Sequence, residues 1–193
     1  MIIPISGSCC SGKTTFIKKV KDIYGDDSLI CDEIIRNKKI KNIDSIREDN
    51  QKYFELEKKI ITQKIYQERE AKKINKKITL FDRSLIDSFY YYTKYVDKNT
   101  EGYQDFLIFL INKIHESFRE IYDYIFLFKP LKNNGLDDKY RPNNLRKIQD
   151  QEYKEIKNLT FEVCSNKNKI KIFNIKEDEE NALNFIKGKK DEY

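Results

Sequence analysis

The chain has 193 residues, 39% of them hydrophobic and 13% aromatic, enough apolar material for one domain over residues 1–193 with a substantial core. Charged residues make up 36% and the 38 Lys and Arg exceed the 32 acids, for a net charge of +6, yet the apolar residues recur with clear periods almost to the C-terminus, which excludes a disordered chain. The lysines fall in small groups (Lys18/Lys19/Lys21, Lys38/Lys39/Lys41, Lys72/Lys73/Lys76/Lys77, Lys187/Lys189/Lys190) that alternate with acids and read as solvated surface, with contact to nucleic acid or an acidic membrane as the alternative. Cys9, Cys10, Cys31 and Cys164 form no C-x-x-C pair and no metal spacing with the single His115, so neither a zinc site nor a disulfide framework is expected. With no basic leader before an apolar stretch and no apolar run of membrane-spanning length, the expected location is cytoplasmic, without a transmembrane segment.

In chain order, Ile2, Ile3 and Ile5 read as a short buried strand. Next comes Gly7-Ser8-Cys9-Cys10-Ser11-Gly12-Lys13-Thr14-Thr15, which matches G-x-x-x-x-G-K-[ST] at every fixed position. Phe16, Ile17 and Val20 then recur at helical spacing, predicting a helix from Lys13 to Tyr24 that ends at Gly25. A strand turning through two glycines into a helix aims backbone N–H groups and the positive end of a helix dipole at one point, which suits a phosphate. Adjacent Cys9 and Cys10 are read as small residues at variable loop positions, with a redox-sensitive thiolate as the alternative.

Ser28 to Cys31 reads as a second strand, with Asp32, Glu33 and Arg36 just beyond its end, where ligands bind in open α/β sheets. A long helix is expected between Asp44 and Ile74, with Tyr53, Leu56, Ile60, Ile61 and Ile65 on one face. Ile78 to Phe81 forms the third strand, which ends at Asp82-Arg83-Ser84. Ser84 and Asp87 resemble a capping box at the start of the next helix. The aromatics Phe89, Tyr90, Tyr91, Tyr92 and Tyr95 on that helix are chiefly core, or in one case a cover for a bound acceptor. A further amphipathic helix runs from Phe106 to Ile121 and carries His115 as a packing or surface residue.

Tyr124 to Phe128 is the fourth strand. The polar, turn-rich segment that follows predicts a mobile lid over about residues 130–146. A helix from Arg146 through Val163, a fifth strand from Lys169 to Ile175 and a short final helix around Ala182 to Ile186 complete the chain. Strands alternating with helices predict an α/β three-layer fold, a five-stranded parallel sheet with helices on both faces and the phosphate site along the strand ends.

The order of these pieces points to nucleotide binding. Lys13 is expected to bridge the β- and γ-phosphates of ATP or GTP and Thr14 to ligate Mg²⁺, with Asp82 completing the protein contacts of the metal. No N-K-x-D is present to specify a guanine base, which removes the switch-GTPase reading, and Asp82-Arg83 stands where a motor-type ATPase has Asp-Glu.

On these residues the chain resembles the nucleoside and nucleotide kinases of the P-loop superfamily, and more closely the AAA-type domain of NadR-like nicotinamide-riboside kinases. The matching features are the loop Gly7 to Thr15, Glu33-Ile34-Ile35-Arg36, a long helix with Gln63 and Glu68, and Phe81-Asp82-Arg83-Ser84-Leu85-Ile86-Asp87 followed by aromatics. Asp82-Arg83-Ser84 is also similar to the acid-Arg-Ser motif of deoxyribonucleoside kinases and the Asp-Arg motif of thymidylate kinases. The resemblance implies phosphoryl transfer to a small hydroxyl acceptor, a nucleoside or nucleotide. It implies Glu33, with Asp32 as runner-up, as the proton acceptor, Arg83 and Arg36 as acceptor-orienting groups, and Arg141 or Arg146 as a lid arginine that neutralises the transferring phosphoryl group. The chain departs from the NadR-like pattern after the fourth strand, where Asn134-Gly135-Leu136-Asp137 replaces Asp-Gly-x-Arg, so the acceptor is not inherited. Two other readings remain open on sequence: a non-catalytic nucleotide-binding regulator with a basic surface, and a polynucleotide 5′-kinase.

Overall fold

The computed structural model describes residues 1–34, 46, 48–131 and 145–190, with the side chains of 145–147 and 190 outside that description. Five strands, β1 (Ile2–Ser6), β2 (Ser28–Cys31), β3 (Ile78–Asp82), β4 (Ile125–Phe128) and β5 (Ile170–Phe173), form one sheet in the order β2-β3-β1-β4-β5. Every neighbouring pair is parallel. The described helices are α1 (Lys13–Tyr24), α2 (Asn50–Ile74), α3 (Leu85–Tyr95), α4 (Tyr103–Glu120), α5 (Leu145–Val163) and α6 (Ile175–Lys190).

Strand alternation sorts the core into two layers. Ile3, Ile5, Ile78, Leu80, Phe126 and Phe128 point to one face and pack with Phe16, Ile17 and Val20 of α1 and Ala182 and Ile186 of α6. Ile2, Phe81, Ile125, Leu127 and Ile170 point to the other and pack with α2, α3, α4 and α5 through Tyr53, Ile61, Leu85, Tyr92, Leu110, Ile114 and Ile156. Both faces of the sheet are thus covered, which is why β1, β3 and β4 are buried along their whole length. The expected three-layer architecture is the one observed.

Local signals place most boundaries. Asp49 caps α2 by accepting the Lys52 N–H at 3.0 Å, and Asn75, at φ 50°, ends it in a left-handed turn. Ser84 caps α3 in a complete capping box, with Asp87 accepting the Ser84 N–H at 2.8 Å; the shorter carboxylate serves because the two residues share a buried corner. The C-terminal part differs from expectation. The fifth strand covers only Ile170–Phe173, because Asp178 accepts the Asn174 N–H at 2.9 Å and starts α6 at Ile175. The last helix is therefore 16 residues long and not a short one. Most of the expected lid, and with it Arg141, lies outside the described residues.

Candidate active site

The site forms at the carboxyl ends of β1, β2 and β3. Gly7 leaves β1 at φ 135°, and a Cβ there would lie 2.4 Å from the Phe128 carbonyl oxygen of β4, so only glycine lets the loop turn against the neighbouring strand. Gly12, at φ 86°, opens α1, whose first turn contains no acid to compete for an anion. Between them Ser8 and Ser11 are buried and Cys9 and Cys10 half-buried; beyond Gly12, Thr14 is half-buried and Thr15 exposed. Among the described residues the buried Ser8 hydroxyl has no hydrogen-bond partner, as suits a group aimed at a bound oxygen.

Lys13 is buried and donates to the carbonyls of Gly7 (2.9 Å) and Ser8 (2.6 Å) and to Ser11 Oγ (3.1 Å). Burial lowers its pKa from the ordinary 10.5 to about 8; Arg83 acts in the same direction, while Asp87, Asp82 and Glu152 oppose it. The ammonium is thus under-compensated by the protein.

Parallel pairing of β1 with β3 sets Ile5 opposite Asp82, which brings the strand-end carboxylate beside the loop. Thr14 Oγ1 donates to Asp82 Oδ2 at 2.9 Å, so the two residues expected to share a metal are in contact across 68 positions of sequence. A hydroxyl and one carboxylate fit Mg²⁺, which keeps most of its waters and takes phosphate oxygens as further ligands. They form no all-protein cage, and among the described residues no cluster of three or more His, Cys, Asp or Glu side chains is arranged to hold a metal.

Next to Asp82, Arg83 holds a left-handed backbone at φ 78°, a conformation that costs a non-glycine residue about 1–3 kcal/mol. Its partners hold it there. The backbone N–H donates to the Ile5 carbonyl (3.1 Å), Nε to Glu33 Oε1 (2.6 Å) and Nη1 to the Tyr91 hydroxyl (3.1 Å), with Asp87 Oδ1 at 3.5 Å. The guanidinium also lies over the Tyr91 ring, 5.1 Å from its centre. Burial opposes the Arg83 charge, and Tyr91, Glu33, Asp87 and Glu152 outweigh it, leaving the group firmly cationic. By contrast Arg69 and Arg119 make exposed pairs with Glu116 and Glu120, of the kind worth little to stability.

These groups open onto a cleft of about 240 Å³ lined by Glu33, Tyr53, Glu57, Lys64, Asp82, Arg83 and Tyr91, with Ile34, Leu56 and Ile60 among its apolar walls. The structure separates the two candidate carboxylates after β2: Glu33 lines the cleft, whereas Asp32 is exposed. Arg36 lies outside the described residues. Arg146 falls on the first turn of α5, its side chain likewise outside them. Gln63 faces a different surface of α2, beside Lys59 and Tyr66, and the buried Glu68 accepts hydrogen bonds from Ser117 (2.7 Å) and Tyr122. His115 is exposed, in keeping with a surface role.

Sequence reasoning missed five contributors. Asp87 does more than cap a helix: buried, it receives the hydroxyls of Ser6 (2.6 Å) and Ser84 (2.8 Å) and faces Arg83 and the Gly7 N–H, at 3.5 and 3.4 Å. From α5, Gln149 donates to the Cys9 carbonyl at 3.1 Å and Glu152 accepts from the Tyr91 hydroxyl, tying that helix to both the loop and the arginine. Glu57 and Lys64 sit on the buried stripe of α2. Charges at positions 57, 64 and 68 of an otherwise apolar stripe were the available signal, since a buried charge needs a reason.

A phosphate-loop α/β fold with an acid-lined cleft beside the loop defines a nucleotide-binding class of protein. Over residues 2–181 the sequence matches the family described as an AAA domain, and the chain belongs to that family. No curated protein matches it. Among solved structures, NadR protein in complex with NR is similar at a TM-score of 0.59 and 17% identity, over 89% of this chain and 45% of that one. NadR protein with NAD and AMP-PNP gives a TM-score of 0.59 and 16% identity, over 89% and 43%. The chain therefore spans less than half the length of those NadR structures. Deoxyadenosine kinase from M. mycoides with dATP is similar at a TM-score of 0.62 and 17% identity, over 98% of each chain. At these identities the likeness is one of fold alone. No described helix is long and apolar enough to cross a membrane.

Proposed function

We propose that this chain is an ATP- or GTP-dependent small-molecule kinase that transfers the γ-phosphoryl group to a hydroxyl of a nucleoside, nucleotide or similar acceptor held in the cleft. The observation that carries the reading is the convergence of Glu33, Asp82 and Arg83 on one cleft beside the phosphate loop. A regulator that only binds nucleotide has no need of a carboxylate gripped by a buried arginine at that position. The solved structures of similar fold add support: NadR protein with NR, NadR protein with NAD and AMP-PNP, and deoxyadenosine kinase with dATP.

In this reading the loop amides and Lys13 hold the β- and γ-phosphates. Thr14 and Asp82 hold Mg²⁺, which supplies charge neutralisation on the phosphate chain. The acceptor oxygen forms a bond to the γ-phosphorus as the bond to the β,γ-bridging oxygen breaks; the hydroxyl proton passes to Glu33 and a nucleoside diphosphate leaves. Arg83 fixes the Glu33 carboxylate through Nε and orients the acceptor, with Arg36 as a further candidate, while Arg141 or Arg146 would supply the lid cation. The test is phosphorylation of a broad nucleoside and nucleotide panel by the purified chain; transfer to no member overturns the proposal. Glu33→Gln, which keeps the shape and the Arg83 contact, is expected to lower kcat by about 10²-fold with little change in ATP affinity. A kcat within threefold of the parent would remove Glu33 from the role of base.

Lys13 makes the binding step pH-dependent. In the free protein it is charged below about 8 and neutral above, and a phosphate chain binds the charged form. Affinity for a non-hydrolysable ATP analogue is therefore expected to fall as pH rises through about 8, by at most tenfold per pH unit. Calorimetric titrations between neutral and alkaline pH would show it, and a flat profile would contradict it.

A further inference from the structure

Lys64 is a cation inside the cleft whose hydrogen-bonding capacity the described protein does not use. It is 4% exposed, on the buried stripe of α2, and it lines the cleft with Glu33, Asp82 and Arg83. Its ammonium rests on the ring of Phe81, 4.4 Å from the ring centre, one residue before Asp82 in β3. The acids around it accept from other donors. Glu68, one helical turn on, accepts from Ser117 and Tyr122, Asp82 accepts from Thr14 through Oδ2, and Asp87 accepts from Ser6 and Ser84. Glu57, two turns back, accepts from Tyr53 at 2.7 Å. Among the described residues no carboxylate lies within ion-pair distance of Lys64, whose ammonium lies against an aromatic ring at the cleft wall with three N–H donors to place. Burial accordingly lowers its pKa, with the nearby acids only partly offsetting the effect.

A desolvated, under-compensated ammonium is unfavourable in the empty cleft and favourable only when something brought into it offers oxygen lone pairs. Arg83 is less open to such a ligand, because Glu33, Tyr91 and Asp87 already engage its Nε and Nη1. The geometry points to Lys64 as the specificity-determining contact of the acceptor site: it takes an oxygen of the acceptor, a ring carbonyl or an anionic oxygen, and it turns away acceptors that carry a positive charge. This rests on the kinase reading above and narrows its substrate class. The acceptor is neutral or anionic and bears an oxygen besides the hydroxyl that is phosphorylated. A pyridinium riboside, whose ring is a fixed cation, is the acceptor that this contact disfavours.

The test separates this inference from the kinase reading by measuring acceptor binding as well as transfer. Calorimetry without ATP, on the full chain, compares a carbonyl-bearing nucleoside (thymidine), a nucleoside monophosphate (thymidine monophosphate) and a pyridinium riboside. The two oxygen-bearing arms distinguish a ring carbonyl from a phosphate as the partner. At least one is expected to bind, and the pyridinium riboside to bind at least tenfold more weakly. Lys64→Met, which keeps length and the contact with Phe81, is expected to weaken the preferred ligand by about tenfold or more and to relieve the rejection of the cation. Lys64→Arg, which keeps the charge, should retain the preference, and a thermal melt of each variant shows whether the fold is intact. If transfer fails throughout but the binding pattern appears, the kinase reading falls and with it the acceptor role, and what stands is Lys64 as the oxygen-binding contact of the cleft. Tighter binding of the pyridinium riboside by the parent chain, equal weakening of all three ligands in Lys64→Met, or no binding in either oxygen-bearing arm overturns it.

Discussion

Replacing Lys13 by Met is expected to lower acceptor-dependent kcat/KM by about 10³-fold, equivalent to about 4 kcal/mol of lost transition-state stabilisation. The size follows from where the charge sits. Lys13 is buried among the carbonyls of Gly7 and Ser8, where little water screens it, and burial lowers its pKa to about 8, so an anion brought beside it gains more than it would at a solvated lysine. Most of the loss should appear in kcat, since the loop amides and the α1 N-terminus still bind phosphate without it. Steady-state kinetics on the best acceptor, with a thermal melt to show that the loop still folds, checks this. A loss below tenfold in a folded variant would mean that the lysine holds the loop closed and takes no part in transfer.

The second large effect is on stability. Asp87→Ala is expected to cost about 3–5 kcal/mol, because it strips a buried site of its central acceptor. The hydroxyls of Ser6 and Ser84 and the Ser84 N–H lose a partner at 2.6–2.8 Å, and the buried Arg83 guanidinium loses one of its two carboxylates. For a chain of this size that is a fall in melting temperature of about 6–20 °C. Asp87→Asn, which keeps the shape but meets the same donors with an amide, should lose less. A melting temperature for Asp87→Ala within about 2 °C of the parent would show that the network is dispensable. The loss would reach function too, since Asp87 joins the first residues of the phosphate loop to the arginine that holds Glu33.

Much of this site was legible in the chain because its parts are local. Gly7, Gly12, Lys13 and Thr14 are readable as a unit, since the turn, the helix start and the phosphate contact lie within one short stretch. Asp82 and Arg83 were legible because a hydrophobic strand ends at them, and strand ends are where α/β sheets place ligands. The pairing of Arg83 with Glu33 was not, since it spans 50 residues and depends on β2 lying beside β3. The preference for Glu33 over its neighbour Asp32 came from the resemblance alone, because adjacent residues after a strand diverge by a backbone turn that local pattern does not specify; in the fold Glu33 lines the cleft and Asp32 is exposed.

The sequence by itself determined the layered α/β class, the alternation that sends Ile3 and Ile5 to one sheet face and Ile2 to the other, and the phosphate loop, all of which follow from short-range periodicity and turn chemistry. Only the tertiary structure decided which charges share a cleft. The strand order β2-β3-β1 set Glu33, Arg83 and Asp82 beside the loop, and the packing of α2 on that same face turned Lys64 inward over Phe81. Periodicity reports which face of an element is buried; what that face meets depends on contacts between segments far apart in the chain.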